Sequence, residues 1–147
     1  MVLDIDTPVY SARKGFLAQA KRLDVGKAID LPEHRRLINQ CEKMLSVTAA
    51  SMVFLYSTKR VHVVPAAAVV QHKDTNLYDI LTYSLHWLYH DFAICWFGDP
   101  AIQATDRVAL EGLRDRLDAR AGVRLVGRSR DTIIYGEDKL IDPEILR

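Results

Sequence analysis

Asp4 and Asp6 flank Ile5 at the end of a short β-prone stretch, two carboxylates of the type that nucleophilic and acid–base chemistry employs. Lys73 and Asp99 add a cation and a further carboxylate later in the chain. His86 and His90 stand four apart in HWLYH, so on a helix both rings share one side, within reach of one metal. The glutamate of the HExxH metalloprotease pattern is missing, and the plainer expectation is a polar stripe with no metal, pH-sensitive if a partner covers it. Asp79 and Tyr83 share that stripe, and Trp87, near the edge of the apolar arc, could anchor a partner or a second copy of the chain. Arg124, Arg128 and Arg130 share parity, so an extended backbone would project them from one face as a cationic strip able to grip phosphates.

These residues must be held by a chain of 147 residues that is 49% hydrophobic and carries a formal charge of +1. A domain of that size buries roughly two thirds of its unfolded surface and needs no disulfide or metal to hold a core. The near-zero net charge argues against a whole-protein electrostatic partner such as duplex DNA, but the charge is blocked along the sequence. Tyr10 to Leu45 has eight Lys and Arg against four acids, Gln71 to Asp106 has one against five, and Arg107 to Arg130 has seven against three. Cys41 and Cys95 sit in apolar patterns without metal spacing and read as buried, reduced thiols. The acidic start MVLDID is unlike a signal peptide, and the longest apolar run, Val63 to Val70, contains Pro65 and falls far short of the ~20 residues that span a bilayer. A soluble cytoplasmic protein is expected, with no membrane contact.

No repeat, low-complexity tract or linker divides the chain, so residues 1–147 are read as one globular domain. Val2 to Asp6 predicts a strand. Ser11 to Asp24 predicts a helix, with Ser11 as its cap, Phe16, Leu17, Ala20 and Leu23 as its stripe and Gly26 as its stop. Asp30, Pro32 and Glu33 mark the start of a second helix that buries Leu37, Cys41 and Leu45. Met52 to Ser57 and Arg60 to Val64 predict a hairpin, while Pro65 to Gln71 fits strand or helix. Thr75 to Asp91 predicts the central helix, and FAICWF after it a strand buried on both faces. Thr105 to Ala121 predicts a helix capped by Gly122, followed by strands at Val123 to Val126 and Thr132 to Tyr135. The fold class is α+β or mixed α/β, a sandwich of about four helices on a five- to six-stranded mixed sheet.

The ordered set Asp4-Ile5-Asp6, Ser57/Thr58 after MVFLY, Lys73, and Gly98-Asp99 after AICWF resembles the haloacid-dehalogenase phosphotransferase family. The resemblance implies that Asp4 attacks phosphorus, Asp6 is the acid and base, Ser57 or Thr58 with Lys73 holds the phosphoryl group, and Asp99 holds magnesium. The sequence departs from the family in having Thr7-Pro8 after the DxD and the extended RVHVV after Ser57. Glu137-Asp138-Lys139, with Asp131 as a second acid, resembles the ExK half of restriction-type nucleases.

No GxSxG, glycine-rich phosphate loop or Cys/His pair appears. The expectation is therefore a small binding or regulatory protein, without a cofactor, acting through protein–protein contact or self-association at Tyr83, His86, Trp87 and His90. A magnesium-dependent phosphohydrolase built on Asp4, Asp6, Lys73 and Asp99 is the alternative. Nucleic-acid binding through Arg124, Arg128 and Arg130 is third, because no aromatic platform or helix-turn-helix accompanies the arginines.

Overall fold

The structure is a computed structural model that describes residues 1–8 and 10–128. Its first element, β1 (Val2–Asp6), turns back at Thr7, whose hydroxyl and N–H both donate to the Tyr10 carbonyl, and pairs antiparallel with β2 (Ser11–Gly15). One residue later the same extended chain changes partners. Phe16 still bonds Met1, but β3 (Leu17–Arg22) leaves the first sheet and pairs in parallel with β4 (Ser51–Tyr56).

Among the described residues two mixed sheets and four helices result, in place of the expected single sheet of five to six strands. The first sheet has the order β2-β1-β7, with β7 (Arg124–Arg128) parallel to β1. The second runs β3-β4-β5-β6, where β5 (Val61–Pro65) forms the expected hairpin with β4 and β6 (Tyr83–Ser84) adds a short outer rung.

The helix expected over Ser11 to Asp24 is thus corrected to two strands. Its apolar spacing satisfies a helical wheel, but Phe16 is the pivot of an aromatic cluster, with ring centroids 4.9 Å from Phe92 and 5.4 Å from Phe97, and the six-residue ladder to β4 overrides local propensity. Gly15 must lie at this bend. A Cβ there would come within 2.4 Å of the Ile102 carbonyl and 2.8 Å of the Met1 carbonyl, because Gly15 and Asp99 exchange backbone hydrogen bonds at close quarters.

Helix α1 (Leu31–Leu45) connects β3 to β4 and begins where the sequence marks it: Asp30 accepts from the Glu33 N–H at 2.8 Å, and Pro32 occupies the first turn. It buries Leu37 and Cys41 against Val53, Leu55 and Val64, with α2 (Ala66–Gln71) closing the cluster through Val69. Burial pushes the Cys41 thiol pKa up to about 12.

The central helix expected over Thr75 to Asp91 is broken. Asn76 caps a single 3₁₀ turn (Leu77–Asp79), the chain extends into β6, and only α3 (Leu85–Ala93) is helical, started by the Ser84 hydroxyl accepting from the Trp87 N–H at 3.2 Å. FAICWF is not a strand either. It holds the end of α3 and a Schellman turn, in which Trp96 N–H donates to the Asp91 carbonyl at 2.9 Å and Cys95 occupies the left-handed position at φ 65°. Cys95 is consequently exposed, correcting its expected burial.

Helix α4 (Arg107–Arg116), capped by Asp106, is shorter than the expected Thr105 to Ala121, and the chain leaves it through Asp118 at φ 50° rather than through Gly122. Among the described residues no helix is long and apolar enough to cross a membrane. Arg130, Asp131, the strand expected at Thr132 to Tyr135 and the Glu137-Asp138-Lys139 motif lie outside the described residues.

Candidate functional site

The first sheet has two unlike faces, because alternate residues of its strands point to opposite sides. On one side Val2 packs on Ile102, Ala104 and Leu113 of the α4 layer, and Asp4, the next residue of β1 on that face, is fully buried. An isolated buried carboxylate costs several kcal/mol, so it must be neutralised. Three arginines do this, each brought in by the strand pairing of the first sheet. Arg13 lies directly opposite Asp4 on β2 and donates from Nε to Oδ1 at 3.1 Å. Arg128 on β7 donates from Nη2 to Oδ2 at 2.6 Å and from Nη1 to the Asp4 carbonyl at 2.8 Å. Arg124, at the start of β7, donates to Oδ2 as well and spans to the carbonyls of Ala104 and Thr105.

The Arg128 hydrogen bond, above all, holds the Asp4 carboxyl below the ordinary carboxylate range. Burial opposes it, and Arg124 and Arg13 add to the lowering. The same contact raises Arg128. Asp4 is therefore a counter-ion whose two oxygens are both taken, rather than a bare nucleophile.

Of the other phosphotransfer candidates, Asp6 shares its face, two residues along β1 and opposite Arg128, whereas Lys73 and Asp99 sit on other elements. Asp6 is exposed at the end of β1, and Lys73 is exposed just beyond α2, which packs on the other sheet. The Asp99 carboxylate accepts from the Thr48 hydroxyl at 2.5 Å and the Ala101 N–H at 2.8 Å, contacts that lower its pKa and pin the turn against β2. No hydrogen bond or ion pair among the described residues joins Asp4, Asp6, Lys73 and Asp99.

The opposite face of the same sheet is apolar. Leu3 of β1 and Leu125 of β7, with Met1 and Val123, form one wall of a groove of about 490 Å³, and Tyr89, Phe92 and Ala93 of α3 form the other. Phe92 is buried at the floor, while Tyr89, Val123 and Leu125 are exposed at the rim. Lys14, buried on this side, seals the far end by donating to the Phe97 carbonyl at 2.6 Å across the Phe92 ring.

Next to the groove, α3 turns His86, Trp87 and His90 outward. Trp87 is 57% exposed, and its ring stands edge-on to those of His86 and His90 at 5.8 and 5.4 Å. His90 Nδ1 meets Asp91 Oδ1 at 3.2 Å. Among the described residues no group of three or more metal-ligating side chains occurs. Tyr83 is exposed on β6, immediately before α3.

Of the sequence candidates, the structure brings Asp4, Arg124 and Arg128 together, and it clusters His86, Trp87 and His90 on one helix. Sequence reading missed Arg13, Lys14, Tyr89, Val123 and Leu125. An extended reading of SARKG would have shown the signal for Arg13, since a hairpin with VLDID places it opposite Asp4. No family model, curated protein or solved structure matches the chain.

Proposed function

We propose that this chain is a binding or regulatory module acting through protein–protein contact, with the α3 side of the first sheet as its contact surface. The observation that supports the proposal is the apolar groove between α3 and the β1–β7 pair, rimmed by Tyr89, Val123 and Leu125 and continued by Trp87 with its two histidines. An apolar, aromatic-edged depression flanked by polar rings has the composition of an interface centre with its rim. Exposed aromatic and aliphatic side chains grouped in this way are unfavourably hydrated in isolation, and covering them removes that surface from water at a gain in free energy.

The test is affinity capture with the wild-type chain, the double variant Trp87→Ala/His90→Ala and the groove variant Leu125→Asp. A protein retained by the wild type and lost by both variants is expected. Retention of nothing by the wild type, or equal retention by all three, overturns the proposal.

A further inference from the structure

The face that buries Asp4 carries more cationic hydrogen-bonding capacity than Asp4 consumes. Arg13 uses only Nε on the carboxylate, and neither of its Nη groups has a partner among the described residues. Among the described residues Arg124 likewise uses Nε and Nη2 but not Nη1, and Arg128 leaves Nε unspent. The Arg13 and Arg128 side chains are 44% and 43% exposed, so the unspent donors are open to solvent above a wholly buried anchor.

We propose that Arg13 and Arg128, clamped by Asp4 and backed by Arg124, form a binding site for a phosphate-type oxyanion. A guanidinium already fixed by a buried carboxylate loses little further freedom when it grips a second anion, and its planar fork suits tetrahedral oxyanions. The charges agree with a small anion rather than a polyanionic track. Three arginines stand against Asp4 and against Asp6, which lies on the same face opposite Arg128 and leaves a surplus of one positive charge. Asp6 thus acts as a brake on the site, a role that no purely structural ion cluster predicts. The inference is independent of the apolar groove on the other face.

The experiment titrates the full chain with inorganic phosphate and, separately, with a nucleoside monophosphate by calorimetry at fixed ionic strength, using acetate as the control anion. Saturable binding is expected. Arg13→Ala, which leaves Asp4 two arginines, weakens it by about tenfold or more, as loss of charged hydrogen bonds does. Arg13→Lys, keeping charge but losing the fork, also weakens it, and Asp6→Asn, which removes an exposed like charge, tightens it by about threefold. Circular dichroism confirms that each variant folds. Tighter binding of the nucleotide means that the phosphate arrives on a nucleotide, and equal affinity means that the free anion is the ligand. Absence of saturable binding to either probe overturns the proposal, as does binding that none of these substitutions changes.

Discussion

The two faces of the β2-β1-β7 sheet solve opposite problems with neighbouring residues. Asp4 goes inward on one face and is matched by three guanidinium groups, whereas Leu3, one residue earlier, goes inward on the other among Phe16, Phe92 and Leu88. On the charged face burial demands partners, and every partner comes from a strand of the same sheet. On the apolar face burial is left incomplete: α3 covers Leu3 through Leu88 and Phe92 but stops short of Leu125, which is 43% exposed. A satisfied buried charge fixes strand register, because a slip of one residue would send Asp4 to the other side. The unfinished part of the apolar face is the surface proposed for a partner.

Breaking the charged face has the largest expected effect. Asp4→Ala leaves three guanidinium groups without their counter-ion and, because Arg13 and Arg128 remain nearly half in water, is expected to cost about 1.5–3 kcal/mol in urea unfolding. The same contact sets a pH dependence. Because the folded pKa of Asp4 lies below its ordinary value of 3.8, the stabilisation is complete above that value and declines as pH falls below it. Asp99 and Asp74 shift in the same direction, so the Asp4 share is read as the difference between wild type and Asp4→Asn. A difference that does not shrink between pH 5 and pH 2 would show that Asp4 is not the titrating group.

Gly15→Ala comes next. It joins the two sheets at a point where the added methyl has no room, and a loss of about 1–3 kcal/mol is expected from thermal or urea unfolding. On the apolar face, by contrast, Leu125→Asp is expected to change stability by less than about 1 kcal/mol, since the side chain is already half in water. Its consequence is for contact rather than folding. Smallest of all, Cys95→Gly relieves a left-handed backbone at the α3 terminus while losing only an exposed thiol contact to the Tyr10 hydroxyl, and a gain of about 0.5 kcal/mol is expected in the same assay.

How much of this was legible depended on the range of the interaction responsible. Helix α1 was plain because its start is local: Asp30, Pro32 and Glu33 carry the cap within four residues. The β4–β5 hairpin was plain because Met52 to Ser57 and Arg60 to Val64 are both rich in β-branched and aromatic residues around a polar turn. Ser11 to Asp24 was misread because Phe16, Leu17, Ala20 and Leu23 fit a helical stripe, and only the distant ladder to β4 and the rings of Phe54, Phe92 and Phe97 decide otherwise. Thr75 to Asp91 concealed two local stops, Asn76 and Ser84, inside an apolar arc broad enough to read as one helix. FAICWF looked like a strand because a Schellman turn normally announces itself with glycine, and here the position is held by Cys95.

The site followed the same rule. Asp4, Arg124 and Arg128 were each singled out, but for separate chemistries, and their convergence depends on a parallel pairing across 120 residues. Arg13 was hidden by the helix assignment. Trp87, His86 and His90 were grouped by helical spacing alone, which α3 preserves. The groove beside them needed β7 to return next to β1, and no local pattern encodes that return.

The most direct test of the two-faced account is retention of a partner protein by Leu125→Asp set against retention by Arg13→Ala, each compared with the wild type. The account predicts that Leu125→Asp loses the partner and Arg13→Ala keeps it. Retention by Leu125→Asp at the wild-type level, or loss by both variants alike, would contradict it.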